Sequence, residues 1–331
     1  MIGTDGVARH FGFSRDGTLA YVPDYGRESE NNELYWLDRA GQAERIVALP
    51  KGYVIPRISP DGGRVAVSAQ EAAGQDIWIC ELGGDSATRL TFDPAEDWHP
   101  VWTPDGSRVV FTSARDGVFN LYVRSADGLG SVEQLTESAY GRWAHTWAKN
   151  GEDLIYVELH PDTGYDIWVA PLNDLSTARP LLRTIVNENN PDISADGHWL
   201  AYQSNETGQY EVYVQPYPGL SGKWQVSRGG GNQPCWSDDG TELFFRHGTQ
   251  MLGVSIRTEP VFTAGIPEVL FEDDTVILGS EARNYDVSGD GTRFLVLKPV
   301  ETQEGSAENR EVIIVEEWFE ELKRAAPPAS N

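Results

Sequence analysis

Little in this chain could staple it together covalently. Among 331 residues there are two cysteines, Cys80 and Cys235, which cannot make a disulfide framework. Long apolar runs are missing as well. No stretch approaches the roughly 18 residues of a membrane-crossing helix, and the start, Met1-Ile2-Gly3-Thr4-Asp5-Gly6, lacks the basic and apolar regions of a signal peptide. The chain therefore reads as soluble, with no export signal of its own. Positive charge is scarce: 26 Lys and Arg face 51 Asp and Glu, a formal net charge of −25. A phosphate backbone or an anionic lipid surface needs basic contacts that such a surface lacks in bulk. Nucleic acid is thus disfavoured as a partner, whereas cationic ligands or divalent metals suit the acidity. Catalytic signatures are missing too. No Gly-x-Ser-x-Gly elbow or His-Glu-x-x-His pair occurs, and Gly229-Gly230-Gly231 lacks the Lys-Ser/Thr of a phosphate loop. Aromatic residues are not scarce: 11 Trp and an aromatic share of 11% argue for a packed core despite the acidity.

What the chain does have is a repeat. Ser/Thr-x-Asp-Gly recurs around Asp16, Asp61, Asp105, Asp196, Asp239 and Asp290, with a degenerate copy at Asn150-Gly151. The period is about 46 residues, in the range of propeller blades. Each copy is preceded by a short apolar segment, as in Pro100-Val101-Trp102, and followed by an alternating strand, as in Arg108-Val109-Val110-Phe111. Asp-Gly and Asn-Gly favour tight hairpins because the turn needs positive φ. A third strand of the type Ile77-Trp78-Ile79 and a fourth of the type Arg89-Leu90-Thr91 complete each unit. Four short antiparallel strands with no intervening helix describe an all-β propeller blade.

Counting copies gives a single seven-bladed propeller over residues 1–324, with six blades as the alternative if the last unit merges with the N-terminus. The last unit offers Tyr285-Asp286-Val287, Arg293-Phe294-Leu295-Val296 and Glu311-Val312-Ile313-Ile314-Val315 but no fourth strand. Either residues 1–8 supply it or the chain is a fragment whose closing strand lay upstream, and the second reading is preferred. Glu317–Arg324 reads as a short C-terminal helix and residues 325–331 as a disordered tail.

The Ser-Pro-Asp-Gly core, the Asp-Ile-Trp-Val third strand and the Arg-Leu-Thr fourth strand resemble the TolB-like propeller repeats of bacteria, along essentially the whole chain. The segments Asn205–Val214, Gly222–Ser227 and Trp318–Arg324 are most similar to the propellers at the C-terminal end of membrane-anchored bacterial serine/threonine kinases. That resemblance implies a ligand-sensing or protein-interaction role and a propeller placed in the periplasm or outside the cell. It implies no kinase activity, because the kinase glycine loop, catalytic loop and membrane helix are all missing. Nor does a prolyl-oligopeptidase-type hydrolase domain have residues left to occupy.

Two columns of the aligned repeats point to a central channel. Six positions before the Asp stand His10, His99, Asn190 and Gln233 among others, and four before it stand Arg57, Asp192, Cys235 and Asp286. They share one face, since strand side chains alternate. The column three before the Asp (Phe13, Ile58, Trp102, Trp147, Ile193, Trp236, Val287) is uniformly apolar and reads as core between blades. At the channel mouth, Arg57, Trp98, Arg142, Trp143, Asn190, Gln233 and Arg283 are candidates for ligand contacts. His10, His99, Asp192 and Asp286 are candidates for a divalent ion (calcium, zinc or manganese). Asp97, His145 and Glu188 are the candidate acid–base groups. Waters in a wet channel would satisfy the same polar side chains without any metal. Cys235 reads as a small buried residue, since no activating base is fixed beside it. The leading expectation is a monomeric binding or sensory module for a small molecule or protein at one face of the ring. The alternative is a metal-dependent hydrolase or lyase at the channel mouth.

Overall fold

The computed structural model describes residues 11–13, 19–21, 32–46, 52–71, 74–84, 86–148, 151–274, 282–299 and 313–315. The chain divides into a unit of residues 30–300 and a second of residues 1–29 with 301–331. In the first, antiparallel sheets follow one another along the chain. Blade I is built from Tyr53–Ile58, Arg64–Glu71, Gly74–Glu81 and Ala87–Arg89. Blade II comprises Asp97–Trp102, Arg108–Ser113, Asn120–Ser125 and Glu133–Gln134. Blade III comprises Arg142–Trp147, Asp153–His160, Gly164–Pro171 and Arg179–Leu182, and blade IV Glu188–Ile193, Trp199–Ser204, Glu211–Pro216 and Trp224–Gln225. In blade V the strands are Asn232–Trp236, Glu242–His247 and Gln250–Arg257, whose outer edge is shared by Thr263–Ala264 and Glu268–Glu272.

Blade VI takes its strands from both ends of the unit. Tyr285–Val287 and Arg293–Pro299 pair onward with Asn32–Asp38 and then Ala43–Arg45, in a register running from Arg293 opposite Asp38 to Pro299 opposite Asn32. The ring is therefore six-bladed, and the seven-bladed count is corrected. Phe11–Phe13 and Leu19–Tyr21, which flank Asp16, pair with each other and with Ile313–Val315 in a three-stranded sheet of their own. Blade VI thus joins the first two strands of the last repeat to the two strands that follow Leu19–Tyr21 in the first. A strand edge is satisfied by whichever chain segment reaches it, and closing the circle leaves that edge covered. The outer strands of blade VI are the Asn32–Asp38 and Ala43–Arg45 pair; residues 1–8 lie outside the described residues. The described residues contain no α-helix, only a single 3-10 turn at Leu175–Thr177. The C-terminal helix expected over Glu317–Arg324 and the tail 325–331 lie outside the described residues.

Among the described residues the apolar core is six clusters, each joining two adjacent blades. Leu34, Leu295 and Leu297 of blade VI meet Tyr53, Val65 and Val67 of blade I. Cys235, Phe244 and Met251 of blade V meet Leu37, Tyr285 and Phe294 of blade VI. The column three before the Asp contributes one residue to each of the six: Ile58, Trp102, Trp147, Ile193, Trp236 and Val287. Its uniform apolarity is the sequence trace of ring packing.

Local polar chemistry fixes the blades. In the Ser/Thr-x-Asp-Gly turns the hydroxyl donates to the Asp Oδ1 (Ser59 to Asp61, 2.5 Å; Thr103 to Asp105, 2.6 Å; Ser288 to Asp290, 2.6 Å). The same Oδ1 accepts the backbone N–H two residues on, from Gly63, Ser107 and Thr292. Gly106 follows with φ +67°, the left-handed region glycine enters without strain. The fourth strand has its own clasp. Thr91 Oγ1 accepts the Ile77 N–H at 2.9 Å and donates to Asp76 at 3.1 Å, and Thr136 does the same for Leu121 and Asn120. That clasp explains why the fourth strand ends in a hydroxyl residue. Each inner strand runs from a loop end, where the preceding blade delivers the chain, to a turn end bearing the Asp-Gly turns.

Candidate functional site

The inner strands are not regular. In blades I, II, IV and V the residue before a proline sits in the left-handed region: Ile55 (φ 56°), His99 (52°), Asn190 (49°) and Gln233 (56°). Proline has no N–H for the ladder, and the pairing register breaks at each of these points. Such a bulge adds a residue to one strand and re-aims its side chain. Each left-handed non-glycine residue costs of order 1–3 kcal/mol, and its recurrence in four blades marks it as a device of the fold. The Xaa-Pro pairs six before the Asp in these four copies were a legible signal of this bulge.

Part of the re-aimed column closes the ring. Ile55 N–H donates to Asn284 Oδ1 at 2.8 Å, Asn284 N–H to Gln233 Oε1 at 3.3 Å, and Gln233 N–H to Gln203 Oε1 at 2.8 Å. Gln203 Oε1 also accepts from Asn190 Nδ2 at 3.1 Å. Asn190 and Gln233 are therefore linked in an amide chain spanning four blades. Toward the loop end, His99 and His145 meet at 5.6 Å between ring centroids. With Trp143, Tyr165 and Asn189 they line a cavity of about 20 Å³, room for a single water. Burial and the nearby Arg57 cation push the His99 pKa down to about 3, and burial with His99 beside it holds His145 well below the usual imidazole range. Both rings are neutral at physiological pH.

The larger cavity, about 400 Å³, opens at the turn end. Its wall carries Asp192, Cys235, Trp236 and Asp286 from the inner strands, Arg283, and the turn residues Ser59, Asp61, Ser237 and Asp238. Arg283 lies 3.1 Å from Asp286 Oδ1 and 3.6 Å from Asp192 Oδ2. The other Asp286 oxygen accepts the Ile58 N–H and Asp192 Oδ2 accepts the Trp236 N–H, both at 2.8 Å. Arg57, buried behind the wall, donates to the carbonyls of Pro56 and Arg283 at 2.7 and 2.9 Å. Burial, reinforced by repulsion from the Arg283 cation, lowers its pKa to about 10, so it stays cationic. Burial raises the Asp192 pKa and holds the Cys235 thiol well above its usual range. Partial enclosure raises Asp238 too, with Asp286 and Asp239 adding repulsion.

The residues singled out from the sequence fall into separate places. Arg283, Asp192 and Asp286 share the large cavity, with Arg57 behind it. His99, His145 and Trp143 share the small one. Asp97 is fully buried and bound by Arg115 at 3.1 and 3.2 Å, with burial raising its pKa. Glu188 is buried in blade IV, where burial pushes it up to about 7. Arg142 is bound to Glu158 at 2.8 Å, and the Trp98 indole donates to Glu96 at 3.2 Å. His10 lies outside the described residues. Sequence reasoning missed the turn residues of the large cavity. Asp238 had a signal: it is the acidic residue at the middle position of its Ser-Asp-Asp-Gly copy, where the other copies have Arg15, Pro60, Pro104, Ala195 and Gly289.

Among the described residues no three His, Cys, Asp or Glu converge as metal ligands. Arg283 already occupies the place a cation would take between Asp192 and Asp286, so this pair does not fit a divalent ion. No helix among the described residues is long and apolar enough to cross a membrane.

Fold and cavity together define an all-β propeller of antiparallel blades, open at the turn end into a polar cavity. A family model described as the TolB beta propeller domain matches residues 12–163. An uncharacterized protein of Agrobacterium fabrum is 27% identical over 200 residues, covering 58% of this chain and 68% of that one. The Tol-Pal system protein TolB of Helicobacter pylori is 24% identical over 198 residues, 59% of this chain and 47% of TolB. The match therefore spans less than half of that relative. Among solved structures, a TolB-assigned chain from Agrobacterium tumefaciens superposes with a TM-score of 0.67 at 18% identity, covering 82% of this chain and 99% of the other. An oligogalacturonate lyase in complex with manganese reaches 0.50 at 16% identity, covering 88% and 77%. The chain has a TolB-like propeller fold.

Proposed function

We propose that this propeller is a binding module whose ligand presents a cationic group, an alkylammonium or a guanidinium, to the cavity at the turn end. The observation that carries this reading is the charge of the cavity wall. Asp61, Asp192, Asp238 and Asp286 stand there against Arg283, and Arg283 is already shared by Asp192 and Asp286. Asp61 lies 3.9 Å from Arg64 and accepts the Ser59 hydroxyl, which leaves Asp238 to receive a cation. The turn carboxylates extend the field. Hydrogen bonds from Thr103 and Ser107 hold Asp105 down to about 2, and those from Ser288 and Thr292 do the same for Asp290, so both are ionised throughout the physiological range. A mouth lined by one sign of charge concentrates the opposite ion, in keeping with the chain's net charge of −25. The TolB-like fold is compatible with a binding role, though a propeller fold does not by itself choose a function.

Spermidine and agmatine, with glutarate as the anionic control, test this by calorimetry and by the fluorescence of Trp236 in the cavity wall. The expected result is binding of both cations, none of glutarate, and affinity about three- to tenfold weaker in Asp238→Asn, as loss of one nearby charge implies. Raised salt should weaken binding further. Equal binding of glutarate, or an Asp238→Asn variant that binds spermidine unchanged, would refute the proposal.

A further inference from the structure

The loop end carries a second surface, distinct from the cavity at the turn end. Trp143, half-buried on the inner strand of blade III, has Phe119 and Tyr165 at 5.9 Å on either side. Its ring lies so close over Gly141 that a Cβ there would meet it at 2.6 Å. Leu159 pairs directly across the hairpin from Tyr165 and is 40% exposed. Tyr140, 38% exposed, packs its ring against that of His160 at 4.7 Å. The Tyr165 N–H donates to Asn187 Oδ1 at 3.0 Å, which draws in the loop carrying Ile185, itself 90% exposed. Aromatic and aliphatic side chains so placed form an apolar surface at the loop end of blades II to IV.

Charge around this surface is one-sided, for a structural reason. Arg115 and Arg142 of the same loops are turned inward onto the buried carboxylates of Asp97 and Glu158, and Arg183, itself exposed, is paired with buried Asp166 at 3.6 Å. The acids Asp116, Glu137 and Asp162 stand exposed. The rim is therefore anionic around an apolar centre. That pattern opposes an anionic membrane and complements a chain that places an apolar anchor next to basic residues.

We infer that the loop end of blades II to IV docks a segment of a partner protein whose aliphatic or aromatic side chain lies within two positions of Lys or Arg. The anchor covers Trp143 and Leu159, and the basic flank meets Glu137 and Asp162. Anchors of this kind carry most of the energy of a peptide interface.

The test uses a random peptide library displayed on phage and selected on the full chain. Selected peptides should share an apolar residue within two positions of Lys or Arg. The most enriched peptide, synthesised with a fluorophore and followed by anisotropy, should bind at least tenfold more weakly to Leu159→Asp and to Ile185→Asp, both exposed positions that leave the core intact. Leu129→Asp, at an apolar residue 71% exposed at the turn end, should bind as the native chain does. Three outcomes overturn the inference: no enrichment, enriched peptides without the pattern, or binding indifferent to Leu159→Asp and Ile185→Asp.

Discussion

Glu188 offers a measurement in which burial alone sets the sign. Its side chain is 4% exposed; Oε1 accepts from Thr184 Oγ1 at 2.6 Å, and Oε2 meets no hydrogen-bond partner among the described residues. Burial, opposed by the Thr184 bond and reinforced by the Asp166 charge, pushes the carboxyl from 4.5 up to about 7. At ~1.36 kcal/mol per pH unit, that rise corresponds to roughly 3.4 kcal/mol as an upper bound, and solvent screening leaves about 1–2 kcal/mol. Because the folded pKa is raised, the folded state holds a proton that the unfolded state has released between pH 4.5 and 7. The contribution to stability is complete below pH 4.5 and is lost as pH rises through 7. Glu188→Gln keeps the shape without the ionisation. It should match the native chain at pH 4.5 and be more stable by about 1–2 kcal/mol at pH 8.5. Equilibrium urea unfolding at pH 4.5, 6, 7 and 8.5, at constant ionic strength, reads the difference directly. A stability difference independent of pH, or a variant less stable at pH 8.5, would refute the reasoning.

His99 behaves with the opposite sign: its folded pKa, near 3, lies below the ordinary 6.5, so stability is lost as pH falls from 6.5 toward 3. His99→Asn should flatten that acid limb, which the same urea series read at pH 6.5, 5 and 4 would show. Leu295 is fully buried in blade VI against Leu34 and Tyr53. Leu295→Ala should cost about 2–5 kcal/mol, the usual range for a core Leu, in the urea midpoint at pH 7.

The repeat, the turns and the inter-blade core were legible in the sequence because each is set by local chemistry. Ser59 and Asp61 build their turn within a few residues, and the apolar column from Ile58 to Val287 marks the blade interfaces at a fixed spacing. Blade number was not legible. The copies at Asp16 and Asp290 are each followed by plausible strands, and sequence order assigns Ile313–Val315 to the last blade, whereas the free edge of Arg293–Pro299 takes Asn32–Asp38 instead.

The candidate site divides the same way. The sequence by itself determined which residues line the inner strands, since their distance from the Asp-Gly anchor fixes the column holding Arg57, Asp192 and Asp286. It could not say at which end of the channel they meet, nor which are already spent. Asn190 and Gln233 share an amide chain, and Arg142 and Asp97 are each taken by a partner from their own blade. Whether a polar side chain is free to act depends on neighbours from other strands. Those neighbours are chosen by ring closure, a long-range condition that no local window of sequence contains, so the tertiary structure alone decided it.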